Sequence, residues 1–205
     1  MKNNADVKRY VETCKEVFWQ NIFQIEIDYL ISHLQGSRDV LSVGCGPAFI
    51  EGELGKRGFC VTGLDISAEA LKCAPDSVRT IAGRAENMAF PDFSFDAIIY
   101  VASLQFIEDY RKALQRSVNV LRPGGTIIAM LLNPESDFFK KMRLEPDSYV
   151  NLIRHTDLNQ IESVLAEGFA LQTEYLLGIS GEKIFDSKDP DEAALYVIVG
   201  KKKPA

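Results

Sequence analysis

The sequence is poor in groups that usually do chemistry on their own. Its 205 residues include two histidines, His33 and His155, and one tryptophan, Trp19. Four cysteines (Cys14, Cys45, Cys60 and Cys73) form no Cys-x-x-Cys pair, so with so few histidines they offer no ligand set of zinc spacing. They read as reduced packing or surface residues. No apolar run approaches the ~20 residues of a membrane span. The opening stretch, Met1 to Asp6, leads into charged residues without the apolar centre of a signal peptide, so the expected location is the cytoplasm. A basic excess is also lacking, since 23 Lys and Arg face 29 Asp and Glu for a net charge of −6. That balance argues against a broad phosphate-binding surface and against a nucleic-acid partner. The run Lys201-Lys202-Lys203 reads as a solvated tail. No repeat or low-complexity tract is present, and the length suits a single α/β domain with a real core.

What the chain does contain is concentrated between Asp39 and Ser67. An apolar run (Val40, Leu41, Val43) ends in Gly44-Cys45-Gly46, a helix-like stretch comes next, and Val61-Thr62-Gly63-Leu64 ends in Asp65. In α/β sheets that bind nucleosides this is the first βαβ unit. The glycines let the backbone turn sharply and approach a ligand, and a carboxylate at the tip of the second strand accepts ribose hydroxyls. A dinucleotide site wants a third glycine three residues after the second, where the chain has Phe49. Gly44-Cys45-Gly46-Pro47-Ala48 is instead a tighter G-x-G-x-small pattern. A lone Gly-x-Gly can serve a tight turn for backbone reasons alone, and Cys45 within it reads as a small packing residue. Asp65 at the strand end is what adds a ligand to the reading.

These residues resemble the class I S-adenosylmethionine (SAM)-dependent methyltransferases, in particular the small-molecule, type 11-like branch. Their common run is Val-Leu-Asp-Val-Gly-Cys-Gly-x-Gly, with the ribose acid one strand later in Val-x-Gly-x-Asp-x-Ser. Three further segments resemble the family in order: Gly83-Arg84-Ala85-Glu86-Asn87-Met88-Ala89-Phe90-Pro91, Ser94-Phe95-Asp96-Ala97-Ile98-Ile99, and Leu121-Arg122-Pro123-Gly124-Gly125-Thr126. The resemblance is continuous from about Asp39 to Leu132. Four positions depart from it. Ser42 stands where an acid usually precedes the first glycine, Ala48 replaces the third glycine, Arg84 replaces an Asp near the adenine, and Gln105 replaces a His after the fourth strand.

Strands are expected at about Asp39–Val43, Phe59–Leu64, Val78–Ala82, Phe95–Val101, Thr126–Leu132, Ala170–Leu177 and Ala194–Gly200. Helices are expected at about 6–19 and 21–34, then Phe49–Arg57, Ala68–Cys73, Asp109–Leu121 and Asp157–Glu167, with Pro47 in a helical first turn and Ser67 and Thr156 as N-caps. The alternation demands a parallel sheet with helices on both faces. The last two strands, joined by a loop, should pair antiparallel. The resemblance implies a doubly wound, Rossmann-like, seven-stranded and mostly parallel sheet. The single domain divides into an N-terminal helical lid (1–36), a cofactor-binding core (37–132), an inserted lid segment (133–156) and a C-terminal helix with a strand hairpin (157–205). The inserted segment reads equally as a solvated surface helix with one packed face. The loop from Gly178 to Glu192 reads as polar and mobile.

The resemblance implies SAM as methyl donor, S-adenosylhomocysteine (SAH) as product, and no metal. Its expected cofactor residues are Gly44, Cys45, Gly46 and Pro47 at the methionine end, Asp65 at the ribose, Ile66 against the adenine, Ala85 and Glu86 at its edge, and Tyr100 and Val101 under the sulfonium. Methyl transfer from a sulfonium is an in-line displacement that needs alignment and exclusion of water more than a strong base. The scarcity of His is therefore no objection. Acceptor-side candidates are Tyr10, Trp19, Gln105 and Phe106, and a base could come from Glu108, Asp109, Tyr149 or His155. Glu26 reads as the wet side of its helix. The partners expected are a small-molecule substrate and, at most, a second copy of the chain. A non-catalytic SAM- or SAH-binding protein and a nicotinamide-dependent oxidoreductase are the rival readings; Phe49 and the lack of a Tyr-x-x-x-Lys pair argue against the second.

Overall fold

A computed structural model describes residues 4–204, with side chains over 7–204. Among them one eight-stranded sheet runs in the order β3-β2-β1-β4-β5-β8-β6-β7. The strands are β1 (Asp39–Val43), β2 (Cys60–Asp65), β3 (Arg79–Ala82), β4 (Phe95–Val101), β5 (Leu121–Leu132), β6 (Phe169–Ser180), β7 (Lys183–Phe185) and β8 (Ala193–Lys202). The first five pair in parallel, and β8 lies antiparallel to both β5 and β6. The central strands are apolar along their length, as burial on both faces requires. Val40, Leu41 and Val43 of β1 and Ile98, Ile99 and Tyr100 of β4 are sealed from solvent.

Among the described residues there are seven α-helices: α1 (Asn4–Cys14), α2 (Val17–His33), α3 (Phe49–Lys56), α4 (Ala68–Leu71), α5 (Tyr110–Val120), α6 (Asp137–Leu144) and α7 (Leu158–Gly168). On one face α5 and α7 bury Tyr110, Ala113, Leu114, Ile161 and Leu165 against Leu41, Ile98 and Ile127. On the other, α2, α3 and α6 bury Leu30, Leu54 and Phe139 against Val40, Ile99 and Ile128. The chain reverses direction across the sheet between β1 and β4. That is where ligands of open α/β sheets bind, outside the carboxyl ends of the strands.

Several boundaries differ from the sequence reading. The eighth strand, β7, forms from part of the expected loop, because β6 runs on to Ser180 and turns back through Gly181 at φ +62°. Strand β5 begins at Leu121, ahead of the Pro-Gly-Gly turn. The first two helices break at Lys15 and Glu16, so Trp19 belongs to α2. Asp157, not Thr156, caps α7 by accepting the Gln160 amide. Ser67 caps α4 as expected. The segment after β5 is helical and packed: Phe138 and Phe139 of α6 are buried, and a 3-10 turn at Tyr149–Leu152 buries Val150. No helix among the described residues is long and apolar enough to cross a membrane.

Candidate cofactor and acceptor site

The turn after β1 is built by close backbone contact. Gly44 takes φ +77° and donates its amide to the Leu64 carbonyl at 2.7 Å. A Cβ there would lie 2.5 Å from Cβ of Ser103, whose hydroxyl donates to the Val43 carbonyl at 2.6 Å. The loops after β1 and β4 therefore meet at a glycine that no larger residue could replace without movement. Gly46 (φ +53°) and Ala48 (φ +58°) continue the left-handed turn into α3. Pro47 is thus outside the helix, two residues before Phe49, and the first-turn expectation is corrected.

Asp65 stands at the tip of β2, aimed by two backbone donors. Its Oδ2 accepts the Gly46 amide at 2.8 Å and its Oδ1 accepts the Ser67 amide at 2.7 Å. An ionised carboxylate offers about four acceptor positions, so two are left unused by these amides. Beside it Ile66 is 66% exposed, an apolar face presented at the ligand end of the strand. The pair fits a ribose with a flat base next to it. Cys45 contributes backbone only. Its thiol turns under the neighbouring strand, where a Cβ on Gly63 would lie 2.6 Å from Sγ, and burial pushes its pKa up.

On the far side of the crevice a 3-10 turn, Ala85–Asn87, buries Ala85 and Glu86. Burial raises the Glu86 carboxyl, but the Asp109 amide and the Arg84 guanidinium outweigh it and hold the pKa below the usual value. Its Oε1 lies 2.9 Å from Arg84 and 3.4 Å from the Asp109 amide, so Glu86 braces the start of α5 while Arg84 also pairs with Glu108. Tyr100 corrects an expectation. Its side chain is fully buried on the α5 face, with the hydroxyl 2.7 Å from Ser117 Oγ, so only its backbone is left to face the crevice. Val101, the last residue of β4, is half-buried on the opposite face.

Gln105 is another correction. The side chain is sealed: its amide donates to the carbonyls of Leu132 (3.0 Å) and His155 (3.2 Å) and accepts the Leu132 amide at 2.7 Å. It ties the end of β5 to the chain at 154–155 and has no group left for a substrate. His155 is similarly committed, with Nε2 2.9 Å from the Ile107 carbonyl and its ring against Tyr110.

Tyr10 of α1 lies against the glycine turn, and α2 packs on the 3-10 turn at Tyr149. A ring carbon of Tyr10 lies 3.9 Å from where a Gly46 Cβ would be. Tyr149 stacks on Phe106 at 6.4 Å between centroids and meets Trp19 edge-on at 6.4 Å, while Trp19 also packs on Phe138. Of the acceptor-side residues, Trp19 and Phe106 are brought together through Tyr149 and Tyr10 lies at the glycine turn, while Gln105 and His155 are committed elsewhere. Exposed Glu108 and Asp109 sit at the α5 start, where Asp109 caps the helix.

Two acids in this region escaped the sequence reading. Glu51 of α3 is 3% exposed and accepts the Ser42 hydroxyl at 2.5 Å. Burial pushes its pKa up, the Ser42 bond draws it back, and Asp65 adds to the rise, leaving it at about 7. Glu26 of α2 is 4% exposed, so the wet-side reading is wrong; burial first and Glu51 second push it to about 8. The signal was available. Ile22, Glu26 and Leu30 recur every four residues on one helical stripe, and an acid on such a stripe is an inward acid.

Residues 41–129 match the family described as a methyltransferase domain. An uncharacterized methyltransferase of Mycobacterium bovis is 35% identical over 97 residues, covering 45% of this chain and 49% of that protein. A demethylmenaquinone methyltransferase of Listeria monocytogenes is 34% identical over 109 residues, covering 47% of this chain and 46% of that protein. The chain spans about half the length of each of these relatives. The crystal structure of a SAM-dependent methyltransferase, possible histamine N-methyltransferase, from Thermotoga maritima superposes with a TM-score of 0.82 at 21% identity, covering 98% of both chains. That likeness is one of fold.

Proposed function

From the match of residues 41–129 to a methyltransferase-domain family and the 35% identity of part of the chain to a methyltransferase, we propose that the chain is a class I SAM-dependent methyltransferase and that it transfers a methyl group from SAM to a small-molecule acceptor. The observation that carries the reading is the aim of Asp65. Backbone amides of Gly46 and Ser67 take one position on each carboxylate oxygen, and the open positions suit the two hydroxyls of a ribose. Gly44, Gly46 and Pro47, with the backbone of Cys45, frame the methionine end, and Ile66 and the Ala85–Glu86 turn border the adenine. Ser42 and Glu51 form the floor beside the turn.

The cofactor, when bound, supplies a methyl carbon activated by positive sulfur. What remains for the protein is to align an acceptor and exclude water. The aromatic cluster of Trp19, Tyr149 and Phe106 offers a surface for that alignment, and its faces favour a neighbouring cation. The acidic balance of the chain favours a small acceptor over a nucleic acid.

Calorimetric titration with SAH tests the proposal. Asp65→Ala should weaken binding by roughly 1.5–3 kcal/mol, the scale of hydrogen bonds to a charged group, or about ten- to 150-fold. Unchanged affinity in that variant would remove the ribose assignment. Binding of NADH with no response to SAH would end the methyltransferase reading.

A further inference from the structure

We propose that Ser103 is a positioning residue for the cofactor: its hydroxyl takes the last carbonyl of β1, parts that strand from β4, and holds the glycine turn in the shape that receives the amino-acid end of SAM. The inference rests on the methyltransferase reading and deepens it by giving a role to a residue outside the expected cofactor set.

The strand ladders stop at different heights. β1 pairs with β2 as far as Val43 and Leu64, and β4 pairs with β5 as far as Val101 and Met130, but β1 and β4 stay paired only to Ser42 and Ile99. Within a strand the amide and carbonyl of one residue point to the same neighbour, and those of the next residue point to the other. The Gly44 amide bonds Leu64 of β2, so the backbone groups of Val43 face β4. The Ala102 amide bonds Met130 of β5, so those of Val101 face β1. A continuing ladder would join the Val43 carbonyl to the Val101 amide. That carbonyl instead accepts the Ser103 hydroxyl at 2.6 Å. The Val101 amide and carbonyl are thereby left facing the gap between the strands, at the point where the chain reverses direction across the sheet.

The backbone is strained to make this contact. Ala102, at φ +44°, holds the left-handed conformation that a residue with a side chain adopts at a cost, and it bends the exit of β4 so that Ser103 meets the turn. A Cβ on Gly44 would lie 2.5 Å from Cβ and 3.0 Å from Oγ of Ser103, so loop and turn touch without slack. Ser103 is buried, and removing its hydroxyl would deprive the Val43 carbonyl of its partner in a place that water reaches poorly. The amino-acid end of SAM is a zwitterion whose ammonium needs acceptors and whose carboxylate needs donors. A gap bordered by the Val101 amide and carbonyl offers one of each. The ribose and base are assigned elsewhere, to Asp65 and Ile66, so Ser103 bears on one end of the cofactor only.

Calorimetric titrations with SAH and with 5′-methylthioadenosine, which keeps the nucleoside but lacks the amino and carboxyl groups, test this. The native protein should bind SAH the more tightly of the two. Ser103→Ala should weaken SAH roughly fivefold or more and leave 5′-methylthioadenosine within about twofold, a selective loss that general loosening of the fold would not give. Ser103→Cys keeps a weaker donor in the same place and should show the same selectivity in smaller measure; it carries the comparison if Ser103→Ala does not fold. SAH losing no more affinity than 5′-methylthioadenosine would overturn the proposal. So would a native protein that holds SAH no better than 5′-methylthioadenosine, a result that leaves the ribose assignment standing. A native protein that binds neither compound would remove the methyltransferase reading, and this inference with it.

Discussion

Glu26 makes a prediction about stability that needs no ligand. Its pKa is about 8 in the folded chain against a reference of 4.5, with burial as the main cause and Glu51 as the second. Between these values the folded state holds a proton that the unfolded state has released. Stability from this group therefore falls as pH rises through that window and is fully present only below it. The separation, at ~1.4 kcal/mol per pH unit, amounts to about 5 kcal/mol, a large share of a domain's whole stability. Glu26→Gln keeps the volume and cannot ionise. Urea unfolding of both proteins between about pH 5 and pH 8.5 should thus give curves that diverge, with the variant gaining on the native chain by several kcal/mol toward the alkaline end. The two proteins are compared at each pH, so any fixed cost of the amide cancels from the slope. Parallel curves would mean that Glu26 ionises at its ordinary pKa, and the picture of a sealed carboxyl would be wrong.

Two further substitutions check the packing that positions the site. Gly63→Ala would place a Cβ 2.6 Å from the Cys45 sulfur and should cost about 1–3 kcal/mol by thermal or denaturant unfolding; in a Cys45→Ala background, where the nearest atom is the Cys45 Cβ at 3.4 Å, most of that cost should vanish. Gln105→Leu removes three buried hydrogen bonds and leaves the Leu132 amide unpaired, so unfolding should come about 2–4 kcal/mol more easily while SAH affinity in the folded protein holds. A drop in SAH affinity without a loss of stability would return Gln105 to the binding machinery.

The parts of the fold legible in the sequence are those written in local chemistry. Alternating apolar runs and glycine turns located β1, β2 and β4 to within a residue or two. Asp65 could be placed at a strand tip because the helix-capping Ser67, two residues on, marks where the strand must stop. Side-chain direction was less legible. Tyr100 and Val101 are neighbours in sequence, but the period of two sends the tyrosine into the α5 face. Gln105 looked like a polar residue at a ligand end, and only the three-dimensional pairing with Leu132 and His155 reveals a structural knot. Glu26 and Glu51 were missed for the opposite reason. Acids are so commonly solvated that a helix bearing one is read with that face outward, although the four-residue spacing of Ile22, Glu26 and Leu30 said otherwise.

The segment after β5 is fastened at both ends, by Asn133 to the carbonyls of Pro190 and Ala193 and by Gln105 to the chain at His155, with Phe138 and Phe139 buried between. The aromatic wall around Tyr149 thus stands assembled before any guest arrives. Conformational entropy that a loose flap would surrender on association has already been lost during folding, so a guest meeting that wall would bind with little deduction for ordering. The same rigidity would narrow the range of shapes such a wall could accept.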